Sequence, residues 1–166
     1  MSFFRAFIAF VICIALAGCQ VSPALGPKGA GQQFVGSINL KTPSNRYEYL
    51  LFQRLNDRLE DSPNGEWTLS YSLSKSSRRS GIDRSGLAHR VIVSGAALYT
   101  LTRSGEKKPT KTGSVKSFVG YSSLASSVAA DASRRDAEKR LATILADKIV
   151  QELMLFSQDI EQGNDL

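Results

Sequence analysis

The chain has 166 residues, with 21 Lys and Arg against 15 Asp and Glu, a formal net charge of +6. Two cysteines (Cys13 and Cys19) and one histidine (His89) leave too few ligands for a cysteine-rich metal site, a disulfide framework or a multi-histidine centre. The length suits one domain with its own core, and the positive excess points to an anionic partner.

Arg5 precedes the apolar run Phe7-Ile8-Ala9-Phe10-Val11-Ile12-Cys13-Ile14-Ala15-Leu16, which Leu16-Ala17-Gly18-Cys19 closes. A positive start, an apolar stretch short for a membrane span and small residues ahead of a cysteine make a secretory signal. Leu16-Ala17-Gly18-Cys19 resembles a bacterial lipobox. That pattern predicts removal of residues 1–18 and a lipid on the Cys19 thiol, after which no free thiol remains. Gln20 follows the cysteine where many inner-membrane lipoproteins carry Asp, so the resemblance implies the outer membrane. One acyl chain binds a bilayer only marginally, whereas several anchor stably at about 0.8 kcal/mol per buried CH₂. Residues 20–32 are rich in Gly and Pro and read, with Cys19, as a flexible tether (19–32).

A first strand is expected over Phe34–Lys41, where Phe34, Gly36, Ile38 and Leu40 alternate with Val35, Ser37 and Asn39. Pro43-Ser44-Asn45 then opens a helix, with Asn45 and Glu48 spaced as a capping box. Tyr47, Leu51, Leu55 and Leu59 share one face of it, and Asp61-Ser62-Pro63-Asn64-Gly65 ends it. Its carboxylates, Glu48, Asp57, Glu60 and Asp61, read as a solvated, salt-bridged face among arginines. Trp67, Leu69, Tyr71 and Leu73 alternate with Thr68, Ser70, Ser72 and Ser74, the pattern of a half-buried strand. Leu87–Leu101 reads as a central strand and Ser114–Tyr121 as the last, joined by connections over 75–86 and 103–113. A long helix over Ser126–Phe156 carries the stripe Ala130, Ala137, Leu141, Ile144, Leu145, Ile149, Leu153 and Phe156. Residues 158–166 form a polar tail. The order β-α-β-β-β-α predicts an α+β two-layer domain over 33–157, one sheet of about four strands with both helices on one face.

Few motifs suggest catalysis. Ser72-Leu73-Ser74-Lys75 and Lys111-Thr112-Gly113 match fragments of the serine β-lactamase signature. That serine must begin a helix, whereas Ser72 lies in an alternating strand that sends residues three apart to opposite faces. His89 begins a strand and has no partner base in sequence. The carboxylates Asp131, Asp136, Glu138 and Asp147 interleave with Arg134, Arg135, Lys139, Arg140 and Lys148 as a charged helix surface. No acid/base pair, nucleophile, metal site or cofactor motif emerges, so an enzyme is not expected. Two basic clusters stand out instead. Lys75, Arg78, Arg79, Arg84 and Arg90 crowd one connection, and Lys107, Lys108, Lys111 and Lys116 the next, at the opposite end of the sheet. Such clusters suit phosphate, Arg most of all through bidentate contacts. For an exported lipoprotein the expected anion is lipopolysaccharide rather than nucleic acid.

The region beyond the lipobox is similar to the LptE (RlpB) family of lipopolysaccharide-assembly lipoproteins, alphaproteobacterial type. The likeness rests on Leu16-Ala17-Gly18-Cys19 followed by a strand, then Arg46-Tyr47-Glu48-Tyr49-Leu50-Leu51 opening a helix and two long strands around a basic loop. The final helix adds Ala130-Asp131-Ala132, Asp136-Ala137-Glu138-Lys139-Arg140-Leu141 and Leu145-Ala146-Asp147-Lys148-Ile149. The resemblance implies an outer-membrane lipoprotein without catalytic activity that binds the LptD β-barrel, plugs its lumen, helps it assemble and serves lipopolysaccharide export. It further implies lipopolysaccharide binding by basic residues, here Arg78, Arg79 and Arg84, with Arg134 and Arg135 on the last helix. The alternative is a lipoprotein adaptor of another cell-envelope assembly complex.

Overall fold

A computed structural model describes residues 34–82, 88–123, 126–161 and 163. Cys19, the signal, the tether and Arg84 lie outside them. The elements run β1 (Ile38–Leu40), α1 (Arg46–Leu59), β2 (Trp67–Ile82), β3 (Ala88–Arg103), β4 (Lys111–Ser122) and α2 (Ser127–Glu161). The sheet order is β1-β2-β3-β4. β1 pairs parallel with β2, and the longer strands form an antiparallel meander. The expected α+β plan is therefore present, with four strands and both helices on one side.

Odd-numbered residues of the long strands face the helices and build the core. Leu69, Tyr71, Val93, Ala97, Tyr99, Leu101, Val115 and Val119 are buried there. They meet Leu51, Leu55 and Leu59 of α1 and Leu141, Leu145, Ile149 and Leu153 of α2, all completely buried. The four-residue spacing of both sets places each on one helical stripe. Each such side chain contributes about 1.5–3 kcal/mol on leaving water. Two glycines permit this packing. A Cβ on Gly113 would overlap the Tyr99 ring, and one on Gly95 would press on Leu141, Leu145 and the Tyr47 hydroxyl. Arg54 of α1 clasps Asp147 of α2 through both carboxylate oxygens, at 2.9 and 3.2 Å.

Several boundaries differ from expectation. The first strand keeps only Ile38–Leu40, because Gly36 turns to φ +81° and Phe34 folds back against Trp67, ring centroids 5.9 Å apart. The stretch from Lys75, expected as connection, is strand as far as Ile82. There the ladder to β3 supplies the order that side-chain burial does not. The last strand begins at Lys111 and α2 continues through Ser157–Glu161. The N-cap of α1 is Asn45, whose side chain accepts from the Tyr47 and Glu48 amides. Glu48 is a buried cap partner rather than part of a solvated face, being 7% exposed. Its carboxylate accepts from the Ser44 hydroxyl and the Ser44 amide at 2.6 and 2.8 Å, one residue ahead of the Asn45 amide that a regular capping box would use. These two bonds hold it below its ordinary 4.5.

Candidate functional site

The even-numbered residues of β2, β3 and β4 form the face without helices. β2 contributes Thr68, Ser70, Ser72, Ser74 and Ser76, β3 Ser94, Thr100 and Thr102, and β4 Thr112 and Ser114. Leu98 and Phe118 stand out of this hydroxyl lawn, 57% and 71% exposed. A shallow depression of about 450 Å³ runs between Phe118, Lys116, Ser94 and Ser76. Arg78, Arg90 and Lys116 are the cations of the face, and its strand positions hold no Asp or Glu.

Arg78 lies opposite Ile92, and Arg90 is two residues from Ile92 along β3. The two arginines are thus diagonal neighbours on one face, within mutual reach of long side chains. The Arg90 guanidinium lies across Gly120, where any side chain would displace it. Among the described residues no carboxylate pairs with Arg78, Arg79 or Arg90. The Arg90 guanidinium leans toward β4 while Arg78 stands on β2 across Ile92, so the two are separate cations of one face, and a guanidinium suits an anion with several oxygens, such as a phosphate group.

The candidates named from sequence separate on this frame. Arg78 is on the open face. Arg79, its neighbour in β2, points to the opposite side and is also exposed. Arg134 and Arg135 sit on α2 and do not join them. Arg134 pairs with Asp131 and reaches Glu138 at 3.3 Å, and Arg135 pairs with Asp131. Hydrogen bonds from Arg134 and then Arg135 pull the Asp131 carboxyl below its usual range. Lys75 is likewise engaged. It bonds Glu138 at 2.7 Å and lies 5.1 Å from the centre of the Tyr47 ring. Burial, with the Glu138 charge adding, pushes the Tyr47 phenol up to about 12. Lys111, at the far end of the sheet, sits over the Phe156 ring at 5.1 Å. Arg90 was visible in sequence as one of the crowd around the loop. Strand parity puts it on the same face as Arg78, and that parity required knowing that the strand runs through Arg78.

The β-lactamase-like fragments form no dyad. Ser72 lies on the open face, while Lys75 crosses the other face to α2, and Lys111-Thr112-Gly113 is part of β4. Among the described residues no three His, Cys, Asp or Glu side chains gather to hold a metal ion. No helix among them is long and apolar enough to cross a membrane.

The fold is similar to solved lipoprotein structures. A candidate lipoprotein from Caulobacter crescentus CB15 aligns with a TM-score of 0.67 and 22% identity, over 77% of this chain and 96% of that one. The rare lipoprotein B of Shewanella oneidensis aligns with a TM-score of 0.54 and 16% identity, over 75% and 97%. A minor lipoprotein from Acinetobacter baumannii gives 0.51 and 15%, over 71% and 88%. No curated protein matches the sequence. The sequence pattern of the LptE family, described as lipopolysaccharide-assembly, matches residues 35–153, from the turn before β1 into the last turns of α2. The chain belongs to the LptE family of lipopolysaccharide-assembly proteins.

Proposed function

We infer that this chain is an outer-membrane lipoprotein, acylated at Cys19, that binds an LptD-type β-barrel, sits partly inside its lumen and helps deliver lipopolysaccharide to the outer leaflet. The observation that carries this reading within the family is the open sheet face, hydroxyl-rich and cationic with no carboxylate in its strands. The lumen of a large outer-membrane barrel is polar, and a plug for it needs a rigid body with polar surfaces. The buried core under α1 and α2 supplies the rigidity, and the serines and threonines supply the surface.

Lipopolysaccharide carries phosphates that divalent cations bridge into aggregates. Arg78, Arg79 and Arg84 compete with those cations for phosphate oxygens and loosen the aggregate. Arg134 and Arg135 contribute less, because each must first leave Asp131. Replacing Arg78, Arg79 and Arg84 together by Glu weakens binding of the full chain to purified lipopolysaccharide. Unchanged binding moves the site elsewhere. For the partner, affinity purification from solubilised membranes recovers a large β-barrel. Recovery of a complex without one supports an adaptor of other envelope machinery instead. Mass spectrometry of the native protein finds acyl groups on Cys19, and an unmodified thiol there removes the proposed anchor.

A further inference from the structure

The two borders of the sheet are finished differently. At the β4 border the even-numbered residues turn their peptide groups outward, and α2 meets two of them. Lys148 Nζ donates to the Lys116 carbonyl at 2.7 Å, and Arg140 Nη2 donates to that of Gly120 at 3.4 Å. At the opposite border β1 pairs only with Trp67–Leu69. The Trp67 amide donates to the Ser37 carbonyl and the Lys41 amide to that of Leu69. Odd-numbered residues of β2 therefore aim outward and even-numbered ones toward β3. The register with β3 is unbroken from Trp67 to Ser80, so the alternation holds along that length. Leu73, Lys75, Ser77 and Arg79 present backbone N–H and C=O groups that nothing among the described residues meets.

A strand border that no described residue meets is a template for a further strand, and proteins use such borders to capture extended peptides. Its chemistry narrows the guest. β2 contains no Asp or Glu, and Lys75, Arg78 and Arg79 flank the open stretch. A second copy of this chain docking through the same border would crowd both sets of cations into one short ladder, which is repulsive. A strand with carboxylates at alternate positions puts them all on one side of the sheet. There Arg79, without a carboxylate among the described residues, and Lys75, which already bonds Glu138, supply the opposite charge, while Arg78 points to the other side. We propose that the β2 border from Leu73 to Arg79 accepts an extended acidic segment of a partner protein as an added strand. This inference does not depend on the lipopolysaccharide reading.

The test uses the full chain in detergent micelles and a synthetic peptide of about eight residues alternating Asp with Val or Thr. At saturating peptide, amide hydrogen exchange slows about tenfold or more at Leu73, Lys75, Ser77 and Arg79, while Ser72, Ser74 and Ser76, already bonded to β3, change little. Ser77→Pro removes one outward donor at a position where an edge strand tolerates proline, and it weakens binding several-fold, up to about tenfold. Should that variant fail to fold, the unaltered protein with a peptide N-methylated at alternate residues loses at least as much. A peptide with Lys in place of Asp binds about tenfold more weakly or less. Equal binding of the N-methylated peptide, or protection at other amides, overturns the proposal. So does concentration-dependent protection of the same amides without peptide, which would make a second copy the occupant.

Discussion

On the helix side of the sheet, Leu69, Ala97, Tyr99 and Leu101 are each at most 1% exposed, whereas one residue away on the other side Leu98 is 57% exposed. The same strands thus carry two surfaces under different constraints. Packing density dictates residue size and shape on the first. The second is free of that constraint and carries hydroxyls, arginines and a few protruding apolar groups.

Five substitutions put this contrast to the test. Leu145→Ala on the helix side lowers the free energy of unfolding by about 2–5 kcal/mol in urea titrations, because the cavity cannot collapse. Leu98→Ala on the open side stays within about 0.5 kcal/mol, and equal effects would mean that the two faces are not distinct. Gly113→Ala drives a methyl into the Tyr99 ring, which burial holds in place and whose hydroxyl donates to Glu152. The expected cost is about 1–3 kcal/mol, seen as a lower thermal midpoint. A cap substitution, Asn45→Ala, costs about 1 kcal/mol and shows first as faster amide exchange in the opening turn of α1. Glu48 gives the smallest and most specific effect. Its carboxyl titrates below 4.5 in the folded chain, so its stabilisation is complete above that pH and declines as acid takes it through the lower folded value. The stability gap between the native chain and Glu48→Gln therefore narrows below pH 4.5, and a gap independent of pH would detach Glu48 from the cap.

Much of this architecture was legible in the residues. The stripes Leu51-Leu55-Leu59 and Leu141-Leu145-Ile149-Leu153 repeat at helical spacing, and Trp67–Leu73 alternates cleanly, so the two-layer plan followed from periodicity. The outer half of β2 was not legible. Lys75–Ile82 has no apolar alternation and many residues typical of loops, and its order comes from hydrogen bonding to β3, which leaves no mark in the side chains. The candidate site was blurred for the same reason. Without the strand there was no way to see that Arg78 and Arg79 face opposite ways, or that Arg90 shares a face with Arg78. The engagement of Arg134 and Arg135 was nearer to hand, since Asp131 and Glu138 lie three or four residues from them on the helix.

The reach of Lys148 and Arg140 around β4 has a consequence for stoichiometry. A sheet that can grow at both ends propagates, each arrival exposing a new ledge for the next, and the outcome is a fibre. Lys148 and Arg140 fill two of the outward carbonyls of β4, so a strand arriving there must first displace them, which favours a single guest held at the β2 end.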